Sequence, residues 1–453
     1  MPFLWVVPLA LYLLSFILCF HSERWYFKPV FWPMLIAAIA IMLGLVSAGV
    51  EARIWFQVAG YSIGSFICFM ICHGETAMLK PNPRHLTLYY LMIAIGGAAG
   101  GIFVGIVAPR LFTGYNELHI GLWLCCALSL LALRAVHKPY TKMKFRSVAR
   151  INAALETLVV VILAVVLHEH ASQTPTGQIR ACRNFYGVLR VIAHDTKQPD
   201  RAYYMLQHGR IKHGSQFMSG DLRYKPTSYY IGNSGVGIAL HSFPSNSPVR
   251  VGVIGLGTGT MAAYGRPGDY YCFYDINPAV IRLATDVFTY IKDCRAKCEI
   301  VEGDARISME QQSPRQFDLL AVDAFTSDAI PVHLLTREAI ILYLTHLSDR
   351  GLIAVHISNR YLDLEPVVQA IADDLQLSTS IIKYTPTAEE KKDEGNNSTW
   401  ILLARNRMQL AVEPIRSAGR RPWATTPSPG PVWTDDYNDL FTRLVTRAAP
   451  ERD

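Results

Sequence analysis

"RVGVIGLGTGTMAAYGRPGDYYCFYDINP", Arg250 to Pro278, reads as a strand, a glycine turn, a helix and a second strand ending on an acid. Gly255, Gly257 and Gly259 follow the first apolar run, where missing side chains let the backbone pass close to a nucleotide and turn its amides toward it. Asp275, some twenty residues on, stands where a ribose-binding acid is expected. The spacing Gly-x-Gly-x-Gly departs from the dinucleotide pattern Gly-x-Gly-x-x-Gly, and it suits an adenosyl sulfonium nucleoside better than a pyrophosphate. The plain alternative is a tight strand-to-helix turn with no ligand.

Downstream the same rhythm continues. "CEIVEGD", "FDLLAVDAF", "GLIAVHIS" and "STWILLARN" are apolar runs of strand length, with helical patterns over Pro278–Ile291 and Thr336–Leu347 between strands. Continuous apolar runs are the mark of parallel strands buried on both faces, so a doubly wound α/β domain is expected. Asp304 follows the third strand and Asp323 the fourth, at the carboxyl edge where ligands bind in such sheets. Asp304 suits an adenine amino group, and helix N-capping is its structural alternative. Upstream, Gln178–Phe217 alternates aromatic or β-branched residues with polar ones, the pattern of short antiparallel hairpins. Ala388–Asn397 is a polar loop, and "RRPWATTPSPGPVW" an irregular arm.

The first third of the chain is different. Hydrophobic residues make up 51% of the sequence, and their excess lies before residue 170. Pro2–Phe20, Val30–Val50, Ile54–Cys72, Leu86–Pro109, Ile120–Val136 and Ala154–His168 each come near the roughly 20 residues that a spanning helix needs, so about six spans are expected. Leu4–Phe20 lacks the basic start and small-residue cleavage pattern of a signal sequence and is taken as a span. The formal charge of +7 is concentrated in "RAVHKPYTKMKFRSVAR", Arg134–Arg150, a juxtamembrane run that suits lipid headgroups. No nucleic-acid motif or basic-aromatic stripe accompanies it. The nine cysteines show no zinc spacing, and no metal is expected. Loop charges put the C-terminal domain outside, whereas nucleoside supply favours the cytosol; the side stays open.

These motifs carry a family resemblance. "VIGLGTGT", "YDINP", "VEGDA" and "LLAVDAFTSDAIPVHLLT" resemble the spermidine synthase or polyamine aminopropyltransferase family. "CHGETAMLKPNPRHLTLYYLMIAIGGAAGGIFVGIVAP" and "WTDDYNDL" look like bacterial fusions of a membrane domain to such an enzyme. Ordinary methyltransferases usually carry an acid where this chain has Val253. The resemblance implies an integral protein of the bacterial plasma membrane, with a helical membrane domain (1–170), a β-hairpin subdomain and lid (171–245), a Rossmann-like catalytic domain (246–410) and a C-terminal arm (411–453). It also implies a homodimer or higher oligomer, an adenosyl sulfonium substrate, no further cofactor, and release of methylthioadenosine.

By the same resemblance Asp275 is the ribose acid, Asp304 the adenine acid, and Asp323 the aspartate that orients and deprotonates the acceptor amine. Gln216 resembles a glutamine that closes the site; Tyr229 and Tyr230 stand near a substrate-lining tyrosine, with core packing as the alternative. Two positions depart from the family. Thr258 replaces an aspartate that grips the donor amine and repels a carboxylate, and Asp328 lies further from Asp323 than the family's second acceptor acid. Without that repulsion intact S-adenosylmethionine is tolerated, and its own carboxylate can attack the γ-carbon to give homoserine lactone, with proximity supplied by the tether. Intramolecular attack is therefore the expected reaction. Aminopropyl transfer from decarboxylated S-adenosylmethionine, a methyltransferase, a non-catalytic nucleoside sensor and a transporter are the alternatives. The last is disfavoured by the scarcity of intramembrane charge.

Overall fold

A computed structural model describes residues 6–48, 52–136, 146–209, 211–324, 331–359, 362–420 and 430–443. The chain divides into two compact units, residues 1–175 with 183–185, and residues 176–182 with 186–453.

The first unit is helical: α1 (Val6–His21), α2 (Lys28–Ala48), α3 (Ile54–Met78), α4 (Leu86–Ile102), α5 (Ala108–Leu111), α6 (Asn116–Val136) and α7 (Arg146–Ser172). A single wide π-turn, Phe103–Val107, joins α4 to α5, so the fourth apolar segment is nearly continuous. All six expected segments are helical, but among the described residues only Val30–Ala48, Trp55–Met78 and Pro83–Leu111 are long and apolar enough to cross a membrane. The apolar runs of α1, α6 and α7 are shorter, and α7 opens on the polar "RSVARINAALE". Leu88, Leu91, Met92, Ile95, Val104 and Ile106 on the fourth segment are exposed, which suits a lipid-facing surface. Between α2 and α3 the packing is close: Met42, Leu35 and Ala38 meet Ile67, Met70 and Ile71 in one buried cluster. Glu75 is buried in this unit, accepts a hydrogen bond from the Tyr26 hydroxyl at 2.7 Å and pairs with Lys28 at 2.7 Å. Gly74 beside it is required, because a Cβ there would lie 2.3 Å from the Tyr26 ring. Gly74 and Glu75 thus pin α3 to the segment that leads into α2.

The second unit holds two sheets. Strands β1 (Gln178–Asn184), β2 (Gly187–His194), β3 (Tyr203–His208) and β4 (Ile211–Phe217) form a four-stranded meander in sequence order. The larger sheet contains β5 (Arg250–Ile254), β6 (Tyr270–Asp275), β7 (Lys297–Glu302), β8 (Phe317–Val322), β9 (Leu347–His356), β10 (Ser378–Tyr384) and β11 (Ser398–Ala404). Its order is β10-β11-β9-β8-β5-β6-β7. Strands β5 to β9 pair in parallel, but β11 runs antiparallel to both β9 and β10, so this Rossmann-like sheet is mixed rather than wholly parallel. From β5 the chain winds outward through β6 and β7, then returns to the other side of β5 at β8. That reversal opens a crevice beyond the strand ends, where ligands bind in such folds.

Both faces of the large sheet are covered, which is why its strands read as unbroken apolar runs. Val251, Val253, Phe273, Leu319, Ala321 and Trp400 share one core, and Ile254, Tyr274, Leu320, Val322, Ile353 and Leu403 the other. The polar loop expected at Ala388–Asn397 contains one short helix, Ala388–Lys392, closed by a capping box between Thr387 and Glu390. Of the C-terminal arm, residues 421–429 lie outside the described residues, but Trp433 beyond them is fully buried in the second core. Its indole donates to Asp439 at 2.6 Å, and its carbonyl accepts from the Arg337 amide at 2.8 Å.

Replacing Trp433 with alanine should cost roughly 3–5 kcal/mol, the usual range for deleting a buried large aromatic. Chemical unfolding of the detergent-solubilised protein, monitored by tryptophan fluorescence, checks this. An unchanged midpoint would show that the arm does not contribute to the core.

Candidate active site

Four strand ends build the site. Beyond β5, the Gly255 amide donates to the Tyr274 carbonyl at 2.9 Å, and the Asp323 amide to the Ile254 carbonyl at 2.9 Å, so the glycine turn and the start of the β8 loop run side by side. Gly255 has φ of +99°, and a Cβ there would lie 2.3 Å from the Asp323 carbonyl oxygen. Only glycine meets both conditions.

Gly255, Gly257, Asp275, Asp304, Asp323, Tyr229 and Tyr230 all line one cleft of about 850 Å³, its open mouth included, a size that fits a nucleoside. Asp275 accepts the Leu256 amide at 3.0 Å and the Asn277 amide at 2.8 Å, fixing the glycine turn from the end of β6. Burial pushes its carboxyl above the usual range. Asp304 caps the helix Ala305–Glu310 through the Ile307 amide at 3.0 Å while it also lines the cleft, so its capping and lining roles coexist. Its second oxygen meets His333 Nε2 at 2.7 Å. Burial raises its carboxyl, but the Ile307 amide and His333 together hold it below its ordinary value.

At the other end Asp323 is buried and held twice. The Tyr230 hydroxyl donates to Oδ2, and His356 Nδ1 lies 2.6 Å from Oδ1. Because an ionised carboxylate can only accept, the proton of this contact belongs to His356 Nδ1. His356 is sandwiched between Tyr229 and Trp400, at 4.5 and 4.7 Å between ring centroids. Burial first, and then the Asp323 charge, push the Tyr229 and Tyr230 hydroxyls well above their usual range, so both remain protonated donors. Ser228, at φ +59°, turns the chain into this tyrosine pair and is braced by backbone hydrogen bonds with Glu394 and Asn396.

Three sequence candidates lie elsewhere. Gln216 is fully buried, but both ends of its amide are used: Nε2 donates to Thr289 Oγ1 at 2.8 Å and Oε1 accepts the Thr289 amide at 2.8 Å. It ties β4 to the segment before Tyr290 and does not line the cleft. Thr258 is buried, shares a hydrogen bond with Thr260 at 2.8 Å and packs beneath Gly214, again away from the lining. Gly259 adopts φ +83° to start the following 3-10 turn and faces Ile291 instead of the cleft. Asp328 falls in 325–330, outside the described residues. Reading the sequence alone missed His356, Trp400, His208, His213 and His333. The strand-end rule that flagged Asp323 would have found His356, the last residue of "GLIAVH".

The lining contains the carboxylates of Asp275, Asp304 and Asp323 and, among the described residues, no lysine or arginine. Such a cleft attracts cations. Among the described residues no group of three or more His, Cys, Asp or Glu could hold a metal ion.

No family model matches the sequence, and no curated protein matches it significantly. Solved structures with a similar framework include a probable spermidine synthase from Corynebacterium glutamicum, 17% identical, covering 51% of this chain and 80% of its own with a TM-score of 0.39. The spermidine synthase from Thermotoga maritima is 14% identical, covering 60% and 84%, with a TM-score of 0.36. Human methyltransferase-like protein 13, solved with SAH, is 18% identical, covering 42% and 83%, with a TM-score of 0.29.

Two outcomes are expected at this site. Gly255→Ala should lower the midpoint of thermal unfolding, because the added Cβ collides with the Asp323 carbonyl; an unchanged midpoint would show that the turn gives way without cost. His213, in the cleft, is driven down to about 4 by burial and by neighbouring His208. The unfolded imidazole, near 6.5, binds a proton that the folded one refuses, so stability should fall as pH drops from about 6.5 toward about 4. His213→Gln should flatten that decline in a pH series of thermal unfolding; an equally steep curve would refute the assignment.

Proposed function

We propose that the second unit binds an adenosyl sulfonium nucleoside and transfers its three-carbon arm to an amine. The observation that carries this is Asp323, gripped by Tyr230 and His356 at the end of β8 in the same cleft as Asp275, Asp304 and the glycine turn. In the reaction, the amine lone pair attacks the carbon next to sulfur. The C–N bond forms, the C–S bond breaks with its electrons going to sulfur, and methylthioadenosine leaves as a neutral thioether. The amine proton passes to Asp323 and then to solvent. Tyr230 and His356 orient the carboxylate and compensate its charge between turnovers, while the tyrosine faces favour the sulfonium. The long apolar helices of the first unit support attachment of this enzyme to a membrane.

Amine transfer is favoured over the internal cyclisation expected from the sequence. Cyclisation uses a nucleophile that is already ionised and gives a prearranged base nothing to do. The case for cyclisation rests on Thr258, which does not line the cleft and shares a hydrogen bond with Thr260.

The test is a mass-spectrometric product assay on the detergent-solubilised full chain, offering intact or decarboxylated S-adenosylmethionine with and without amines. Amine-dependent release of methylthioadenosine is expected, with Asp323→Asn lowering turnover by about 100-fold or more while methylthioadenosine affinity stays within a few-fold. Methylthioadenosine with homoserine lactone and no amine requirement would replace this reading by cyclisation. S-adenosylhomocysteine as product would make the protein a methyltransferase.

A further inference from the structure

The wall opposite the nucleoside-binding strand ends is built by the small sheet. Beside Asp323 stands His213 of β4, close enough for the carboxylate charge to act on its imidazole. His208 of β3 follows, its ring centroid 5.5 Å from that of His213. Its Nε2 donates to the Tyr186 carbonyl at 2.7 Å, which gives that nitrogen the proton. Leu189 and Leu206, each almost fully buried, complete the surface with Tyr186. The β4 backbone presses on the glycine turn: a Cβ on Gly257 would lie 2.9 Å from the His213 carbonyl oxygen. This contact fixes the wall in position over the cleft.

Its chemistry is distinctive. Burial pushes both His208 and His213 down, so both are neutral at physiological pH. His213 Nε2 is buried and has no hydrogen-bond partner among the described residues, a polar atom left for a ligand. Among the described lining residues the carboxylates number three: Asp275 and Asp304 at the nucleoside end, and Asp323 at the reacting end. The wall itself adds none. Asp323 can match one acceptor ammonium, whereas an ammonium lying along this wall would be buried against leucine, tyrosine and neutral imidazole. An unpaired buried charge is strongly unfavourable.

We propose, building on the amine-transfer reading, that the acceptor is a monoamine with an apolar or aromatic body, and that this body lies along Tyr186, Leu189, Leu206 and the two histidines. A hydroxyl or similar group on that body reaches His213 Nε2. The wall selects against a second ammonium lying along it, because its own residues offer no counter-charge.

The experiment uses the full chain in detergent, saturated with methylthioadenosine, and titrates tyramine, phenethylamine and hexylamine against putrescine and spermidine by calorimetry. The same amines are then compared by methylthioadenosine release with both sulfonium donors. At least one monoamine should bind at least 10-fold more tightly than putrescine, with tyramine ahead of phenethylamine and His213→Ala erasing that difference. Leu206→Glu, which adds a carboxylate to the wall, should move the monoamine-to-putrescine ratio at least 10-fold toward putrescine. Hexylamine, which carries no hydroxyl, should bind His213→Ala as it binds the unaltered protein and so reports whether that variant keeps its site. Equal or tighter binding of putrescine or spermidine by the unaltered protein would overturn the monoamine proposal and leave amine transfer standing. Selective monoamine binding without methylthioadenosine release from either donor would instead overturn amine transfer and keep the wall's specificity.

Discussion

A carboxylate removed from water must be matched by donors in place before it is buried, and Asp323 sets that requirement for the whole site. One donor is Tyr230, the other His356, and each is supplied by a different part of the fold. Tyr230 needs the left-handed backbone at Ser228 and its bracing by Glu394 and Asn396. His356 needs β9 to end beside β8 and needs Trp400 against its open face, which only the antiparallel insertion of β11 provides. The mixed sheet is thus more than a topological detail. An added parallel strand would approach from the other direction and bring different residues to that edge.

The glycine turn was legible because it depends on local chemistry. A positive φ and a close approach by Asp323 demand glycine at position 255 whatever surrounds it, and the runs feeding each strand end are apolar because both faces of the sheet are covered. Side-chain direction was not legible in the same way. Thr258 and Gln216 occupy motif positions, but Thr258 turns to Thr260 and Gln216 spends both amide ends on Thr289. The first choice depends on β4 packing onto the turn and the second on β4 meeting Thr289, 73 residues further along the chain. His356 was hidden for a related reason: a histidine closing an apolar strand acquires meaning only when Asp323, from another strand, is seen beside it.

Periodicity had comparable limits elsewhere. The helical pattern Pro278–Ile291 breaks after Asp286, because Phe288 enters the core and Thr289 is engaged by Gln216 before a new turn begins at Tyr290. "STSIIKY" gave no strand signal, since the edge strand β10 opens on three polar residues and its only apolar run is Ile381 and Ile382. In the helical unit, hydropathy located the apolar helices, and among the described residues three of them are long and apolar enough to cross a membrane. Glu75 shows what composition omits: its buried charge is matched by Lys28 and Tyr26 from the neighbouring segment.

The charge of the cleft gives direction to the proposed chemistry. Three carboxylates with no lysine or arginine among the described lining residues favour ligands with net positive charge, and a sulfonium facing an ammonium supplies two positive centres. Transfer converts the sulfonium to a neutral thioether and leaves the charge on nitrogen, so the nucleoside product loses the attraction that held its precursor. In that reading Asp275 and Asp304 would then hold the thioether nucleoside by hydrogen bonding alone. On the proposed reaction, capture would be electrostatic and release not opposed by it, so that one arrangement of acids would serve both ends of a turnover.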